Sequence, residues 1–414
     1  MGTYLGAALR GPLAGILPHH EGLTALRRDL HANPELGFEE HRTAALVAER
    51  LRGYGIEVHT GIGRTGVVGV IRSPGAGTRS IGLRADMDAL PMNEESEFAH
   101  RSTRPGLMHA CGHDGHTTML LGAAEYLART RRFDGTVTLI FQPGEEGFAG
   151  AQAMVDDGLF ERFPADEVYA MHNWPALEPG QFGLNVGPMM SAADRVEITI
   201  SGKGGHAAHP HRSIDPVVVA AHIITAVQTI VSRNVSPLEN AVVSLCSLQA
   251  GNPGAFSVIP REAKLVGTVR TFSTDTQDLI EQRLLDITES VARAFGAEAK
   301  LIYERVYPAT INYAPQARFA GDVAAELVGE DNVLRDLEPS MGAEDFAFML
   351  RQKPGCYLRL GQGGGTSGCF LHNTRYDFND AVIPLGAAFF AALAERRLAA
   401  EPRGGKHSIL KESS

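Results

Sequence analysis

The sequence predicts an α/β protein in which one layered domain is interrupted by a second unit of different element order. Short β-branched runs alternate with helical periodicity through the first half of the chain, which is the pattern of a layered α/β domain. Over residues 192–306 the order changes to strand, helix, strand, strand, helix, strand. The length of 414 residues also exceeds one module, since a domain takes about 150.

Residues 1–20 read as a loosely ordered lead-in, before helices over 24–30 and 39–51. Strands are expected over 66–72 and 80–84, then a helix over 116–129 with apolar positions at Leu120, Leu121, Ala124 and Leu127. Further strands read over 136–141 and 167–171. The second unit comprises strand 194–200, helix 215–232, strands 241–248 and 263–270, helix 276–295 and strand 300–306, the split order of ferredoxin-like domains. A helix over 318–328, a strand over 356–360 and a helix over 383–397 resume the first domain. Residues 402–414 read as a mobile polar tail. The expected organisation is a discontinuous catalytic domain, 1–190 with 307–414, and an inserted lid over 191–306.

Charge excludes one class of partner. With 38 Lys and Arg against 48 Asp and Glu, the net charge of −10 leaves no cationic surplus for a phosphate backbone, so nucleic acid is not expected. No membrane segment is expected either, because Arg10 cuts the apolar opening well short of roughly 20 residues. Four irregularly spaced cysteines, Cys111, Cys246, Cys356 and Cys369, suggest reduced thiols and a cytoplasmic setting.

The residues just past each strand carry the chemistry. Strand 80–84 runs into Asp86 and Asp88, strand 136–141 into Glu145 and Glu146, and strand 167–171 into His172. Ligands bind at the carboxyl ends of strands in α/β sheets, so these side chains converge on one rim. His109, Cys111, His113, Asp114 and His116 place five metal-type donors within eight residues. Alone, that stretch also suits a His-rich surface turn. Neighbouring side chains point apart, so one of Glu145 and Glu146 can ligate while the other faces a substrate water; the alternative is an exposed acidic loop.

Six motifs together, Gly82–Pro91, Met108–His116, Phe141–Gly147, Met171–Pro175, the run from Gly204 through His206 to His211, and Leu371-His372-Asn373, resemble the amidohydrolase branch of the dinuclear aminoacylase and carboxypeptidase metallopeptidases. Hippurate hydrolases and plant indole-acetyl-amino-acid hydrolases belong to that branch, and the resemblance runs from about residue 22 to 397 in the expected order. It implies a mixed-sheet, zinc-peptidase-like catalytic domain with a ferredoxin-like α+β lid. It implies that Cys111, His113, Glu146, His172 and His372 ligate two divalent ions (Zn, Mn, Co or Ni), with Cys111 as bridging thiolate. Asp88 matches the Asp that orients a metal-binding His, and position 86 is Asp where the carboxypeptidase branch has a His ligand. Glu145 matches the general base, and His206 the histidine that reaches over the site from the lid, often from a partner subunit. Arg270 lies at the position of the substrate-carboxylate binder, with a surface strand Arg as the alternative.

The expectation is a hydrolase of linear amide bonds, acting on small N-acyl amino acids as a homodimer or homotetramer joined through the lid. A dipeptidase, an N-acyl-diaminopimelate-type deacylase and a catalytically silent ligand-binding relative are the alternatives. His109 and His116 are expected to make structural hydrogen bonds, and Glu344 and Asp345 to open a helix.

Overall fold

The computed structural model of the protein describes residues 11–75, 77–364 and 368–400. In chain order come helices α1 (His20–Ala32) and α2 (His41–Gly53), strands β1 (Glu57–Ile62), β2 (Gly66–Arg72) and β3 (Ser80–Asp86), helix α3 (His113–Thr130), and strands β4 (Thr136–Gln142), β5 (Glu167–Trp174) and β6 (Phe182–Gly183). The inserted unit holds β7 (Ala192–Ser201), α4 (Pro216–Thr229), β8 (Ala241–Ala250), β9 (Glu262–Thr271), α5 (Thr274–Ala294) and β10 (Glu298–Tyr307). Beyond it come α6 (Ala314–Val328), β11 (Val333–Leu334), β12 (Gly355–Gly361) and α7 (Ile383–Arg397).

The body is an eight-stranded mixed sheet in the order β1-β2-β4-β3-β5-β12-β6-β11. Its centre, β4, β3, β5 and β12, is parallel, so four carboxyl ends open on one rim. Strands covered on both faces must be apolar nearly throughout, and β3 and β12 are buried at every position. Alternation still sorts the faces: Tyr169 and Met171 join the cluster under α3 and α7, whereas Val168 and Ala170 join Met154, Phe346 and Tyr357 on the other side. α7 is buried from Ile383 to Ala394, which explains its weak amphipathicity.

The lid is a four-stranded antiparallel sheet, β8-β9-β7-β10, packed against α4 and α5 around Ile198, Ile223, Leu265 and Leu284, the expected ferredoxin-like arrangement. Side chains start both helices: Asp215 accepts from Val217 N at 2.9 Å, and Ser273 from Thr276 N at 3.2 Å. Among the described residues, Pro216–Asn234 alone is long and apolar enough to cross a membrane by length and composition; a third of it is buried, with Val219, Ile223 and Val227 turned onto the lid core.

Both chain crossings between body and lid run side by side. Ala193 at the start of β7 lies opposite Tyr307 at the end of β10, and Gly187–Met190 pairs antiparallel with Thr310–Asn312.

Three expectations need correction. Within the lead-in, Gly11–Ile16 and Leu17–His19 are helical, because Ile16 is 2% exposed and packs into the main core. α3 starts at His113 rather than 116, since Gly112 in a left-handed conformation lets the helix begin at once. β1 is an additional strand, which the sequence pattern does not announce because it is an edge strand with little burial and no clean alternation. Residues 1–10 and 402–414 lie outside the described residues.

Candidate metal centre

Backbone geometry brings the donors together. Gly112 has φ +92°, and a Cβ there would stand 2.4 Å from Asn173 Oδ1 and 2.7 Å from the Tyr376 hydroxyl. Only glycine fits this turn, which sets Cys111 and His113 on one side of the loop. Beyond β4, Gly144 and Gly147 are left-handed and Glu146 is non-helical (φ −73°, ψ 73°). Adjacency suggested that the two side chains would point apart, but in this turn carboxylate oxygens of Glu145 and Glu146 and a ring nitrogen of His113 lie within 4.8 Å of one another. His372 takes φ +60°, unusual for a side chain of its size, and its N–H donates to the Ala110 carbonyl at 2.8 Å. This bond docks the His372 loop on the Cys111 loop.

All five expected ligands meet at the rim. Donor atoms of Cys111, His113 and His172 lie within 4.8 Å of one another, and so do those of Cys111, Glu146 and His372. Cys111 belongs to both sets, the position a shared ligand would occupy. Its Sγ is 3.4 Å from His172 Nε2, and Glu146 Oε1 is 3.1 Å from His372 Nε2. Asp88 braces two members at once: Oδ1 accepts from His113 Nδ1 at 3.2 Å, and Oδ2 from Glu146 N at 2.9 Å. With Nδ1 so engaged, His113 presents Nε2 to the rim.

Asp86 and His116 are bound to each other instead. Asp86 holds His116 Nδ1 at 2.6 Å and Arg84 Nη1 at 2.8 Å, while His116 Nε2 meets Asn173. His116 thus makes buried hydrogen bonds, and a ring nitrogen also lies within 4.8 Å of donor atoms of Asp86 and His113. His109 lacks the hydrogen bonds expected of it: it is buried, and neither ring nitrogen has a hydrogen-bond partner.

A network behind Glu145 escapes the sequence reading. Arg84 is buried, donating to Gln142 at 2.7 Å, Glu344 at 2.9 Å and Asp345 at 3.1 Å. Glu344 and Asp345 precede the short helix Ala347–Gln352 but are buried at the rim rather than solvated at its start. The Asp345 N–H donates to Glu145 Oε1 at 3.4 Å, and the Tyr307 hydroxyl donates to the Glu145 carbonyl at 2.6 Å. The available signal was an arginine in the middle of an apolar strand, since a buried guanidinium requires partners.

Lid residues divide in two. Arg270 lines a cleft of about 460 Å³ between body and lid, together with Glu145, Glu146, Asp194 and Tyr307. It makes no ion pair within 4 Å among the described residues, and burial lowers its pKa. His206 stands apart: it is exposed, on the ribbon Gly205–His206 against Val258–Ile259, and its Nδ1 accepts from Ala208 N at 3.1 Å. It neither lines that cleft nor joins a donor cluster.

The electrostatics call for positive charge. Burial, then Glu344, Glu146 and Asp345, push the Glu145 carboxyl well up. Burial, then Glu146 and Glu145, push the Cys111 thiol well up, and burial pushes His172 down. His113 is opposed by burial yet carried to about 10 by Asp86 and Asp88. Buried His113 Nε2 and Glu146 Oε1 lack hydrogen-bond partners and stand 4.0 Å apart. Thiolate, imidazole and carboxylate donors around unsatisfied buried atoms fit transition-type divalent cations, whose charge also reverses these pKa trends.

Three kinds of relative extend this picture. A model of peptidase family M20/M25/M40 matches residues 82–396. A hippurate hydrolase of Campylobacter jejuni is 43% identical over 373 residues, 90% of this chain and 96% of that protein. An N-acetylcysteine deacetylase of Bacillus subtilis is 38% identical over 377 residues, 91% of this chain and 96% of that one. The crystal structure of the Bacillus subtilis YXEP protein, described as a dinuclear metal-binding peptidase, superposes with a TM-score of 0.81 at 33% identity, covering 92% of this chain and 99% of that one.

Proposed function

The chain belongs to peptidase family M20/M25/M40, and from that premise we propose that it is a metal-dependent amidohydrolase splitting N-acyl amino acids into a carboxylic acid and a free amino acid. The observation that carries this reading is the carboxylate pair after β4, with Glu146 joined to Cys111 and His372 as a donor and Glu145 beside it and His113 on the cleft.

Cys111, His113, Glu146, His172 and His372 would hold two divalent cations. Bound there, the cations would polarise the scissile carbonyl and make water a better nucleophile. Glu145 takes the proton of the attacking water and delivers it to the leaving amine. Its burial, and the crowd of carboxylates behind it, favour accepting that proton. The Asp345 N–H and the Tyr307 hydroxyl fix its orientation, and Asp88 fixes that of His113 and Glu146. Arg270 faces the cleft free to pair with the substrate carboxylate.

His206 acts from a partner subunit in this reading, because in its own chain it stands outside the cleft. The lid offers the surface for such a partner: β8 is a free sheet edge, and Val217, Val218 and Leu248 are exposed nearby. A homodimer, or a tetramer built from it, is the assembly this requires. Mixed dimers of Glu145→Ala and His206→Ala subunits should regain activity, and no recovery would place His206 in its own site. Thiols at Cys111, Cys246 and Cys356 suit a cytoplasmic setting.

The central test is hydrolysis of hippurate-like substrates by wild type and Glu145→Ala. The variant should lose about 10²- to 10⁴-fold in kcat while keeping its metal. A wild-type rate in that variant would overturn the assignment. Turnover confined to dipeptides or acylated diamino acids would favour those alternatives, and metal binding without turnover would favour a silent relative.

A further inference from the structure

Arg359 is 2% exposed, yet its charge is unmatched. Its Nη2 meets only the Met190 thioether, at 3.2 Å, and its buried Nε has no hydrogen-bond partner. No carboxylate among the described residues reaches it within ion-pair distance, and the guanidinium lies 3.7 Å over the ring of Trp174. The other buried arginines among the described residues, Arg27 and Arg84, are surrounded by carboxylates. A buried arginine left with an indole and a thioether is costly for the fold, which points to an anion supplied from outside.

The position of Arg359 identifies that anion. On β12 it stands directly beside His172 of β5, so its side chain shares a sheet face with a metal-ligand candidate. Trp174 in turn meets Phe370 edge to face, at 5.3 Å, and Phe370 is half exposed two residues before His372. The guanidinium thus sits behind an aromatic pair flanked by His172 and His372. On its other side is Met190, at the root of the lid.

We propose that Arg359 is a specificity-determining residue that receives a carboxylate of the substrate from the body side, in addition to Arg270 of the lid. The proposal rests on the amidohydrolase reading above. The carboxylate is either the terminal carboxylate of a dicarboxylic acyl group, such as succinyl, or the α-carboxylate of the amino acid.

The holoenzyme is assayed with three substrates sharing one side chain: an N-succinyl amino acid, the N-acetyl amino acid, and the N-acetyl amino-acid amide. In Arg359→Met, KM should rise about 10- to 100-fold for substrates bearing the recognised carboxylate, with kcat within a few-fold of wild type. A rise for the succinyl substrate alone places the carboxylate on the acyl side. A rise for both acids but not the amide places it on the amino acid. Arg359→Lys should recover part of the loss, because the charge returns without the planar fork. Succinate, used as a probe without turnover, should raise the melting temperature of wild type more than that of Arg359→Met. An unchanged KM for all three substrates together with equal succinate shifts would overturn the proposal. If wild type hydrolyses neither these three nor hippurate-like substrates, the amidohydrolase reading fails, while the succinate shift still reports on Arg359.

Discussion

Two consecutive residues at the start of α3 face opposite kinds of charge cluster. Asp114 looks towards α1, where His31 Nδ1 lies at 2.8 Å and Arg27 Nη1 at 3.6 Å; Arg27 also holds Asp377 at 3.0 Å and Asp380 at 2.6 Å. His113 looks towards the rim, where Asp86, Asp88 and Glu146 approach its ring and the buried guanidinium of Arg84 holds Asp86, Glu344 and Asp345 behind Glu145. The first cluster is neutralised by the chain itself and works as a joint between α1, α3 and the segment before α7. The second is short of cations and, in our reading, is balanced by bound metal. Burial is similar in both, so it is the source of the positive charge that separates a structural cluster from a functional one.

The largest effect should come from removing metal. Exhaustive chelation should reduce turnover to background, and restoring a divalent cation at about 100 times its Kd should add about 2.7 kcal/mol of stability, read as a rise in melting temperature. Full activity after verified metal removal would break the comparison. Next, Arg27→Leu removes the guanidinium that Asp114, Asp377 and Asp380 share in the self-neutralised cluster and should cost about 3–5 kcal/mol in urea unfolding, with metal affinity unchanged.

A third experiment reads the same cluster through pH. Burial opposes the charge on His31, but Asp114 and Glu94 carry its pKa from the ordinary 6.5 to about 9. Because the folded value is the higher one, its contribution is complete below pH 6.5 and disappears as pH rises through 9. His31→Asn should therefore lose on the order of 2–3 kcal/mol relative to wild type at about pH 6, and little of that at about pH 10. A pH-independent difference would deny His31 its charge. The smallest effect belongs to Asp88→Asn, which should weaken metal binding about 10- to 100-fold by loosening His113 and Glu146, without changing the urea midpoint of the metal-free protein.

Much of this was legible because it is local. β2 emerged with its observed bounds, since an uninterrupted apolar run starts at Gly66 and stops at Arg72. Gly144 and Gly147 marked the Glu145–Glu146 turn, and the donors from Cys111 to His116 share one loop and one helical turn. The network behind Glu145 was not legible, because Arg84 finds Glu344 and Asp345 some 260 positions away through sheet topology alone. Arg359 was invisible for the opposite reason. Its significance lies in the partners it lacks, and no local pattern announces that.

The order of the strands also bears on how the protein assembles. The lid completes its sheet from residues 192–307 alone, whereas β12 must enter the body sheet beside β5 after the whole lid has been synthesised. The body is thus a high-contact-order fold with a late central strand, and the lid is a comparatively local one. On a ribosome the lid can fold first, leaving the edges of β5 and β6 unpaired until β12 arrives. A brief exposure of those edges is the stage at which this chain is most open to misassociation.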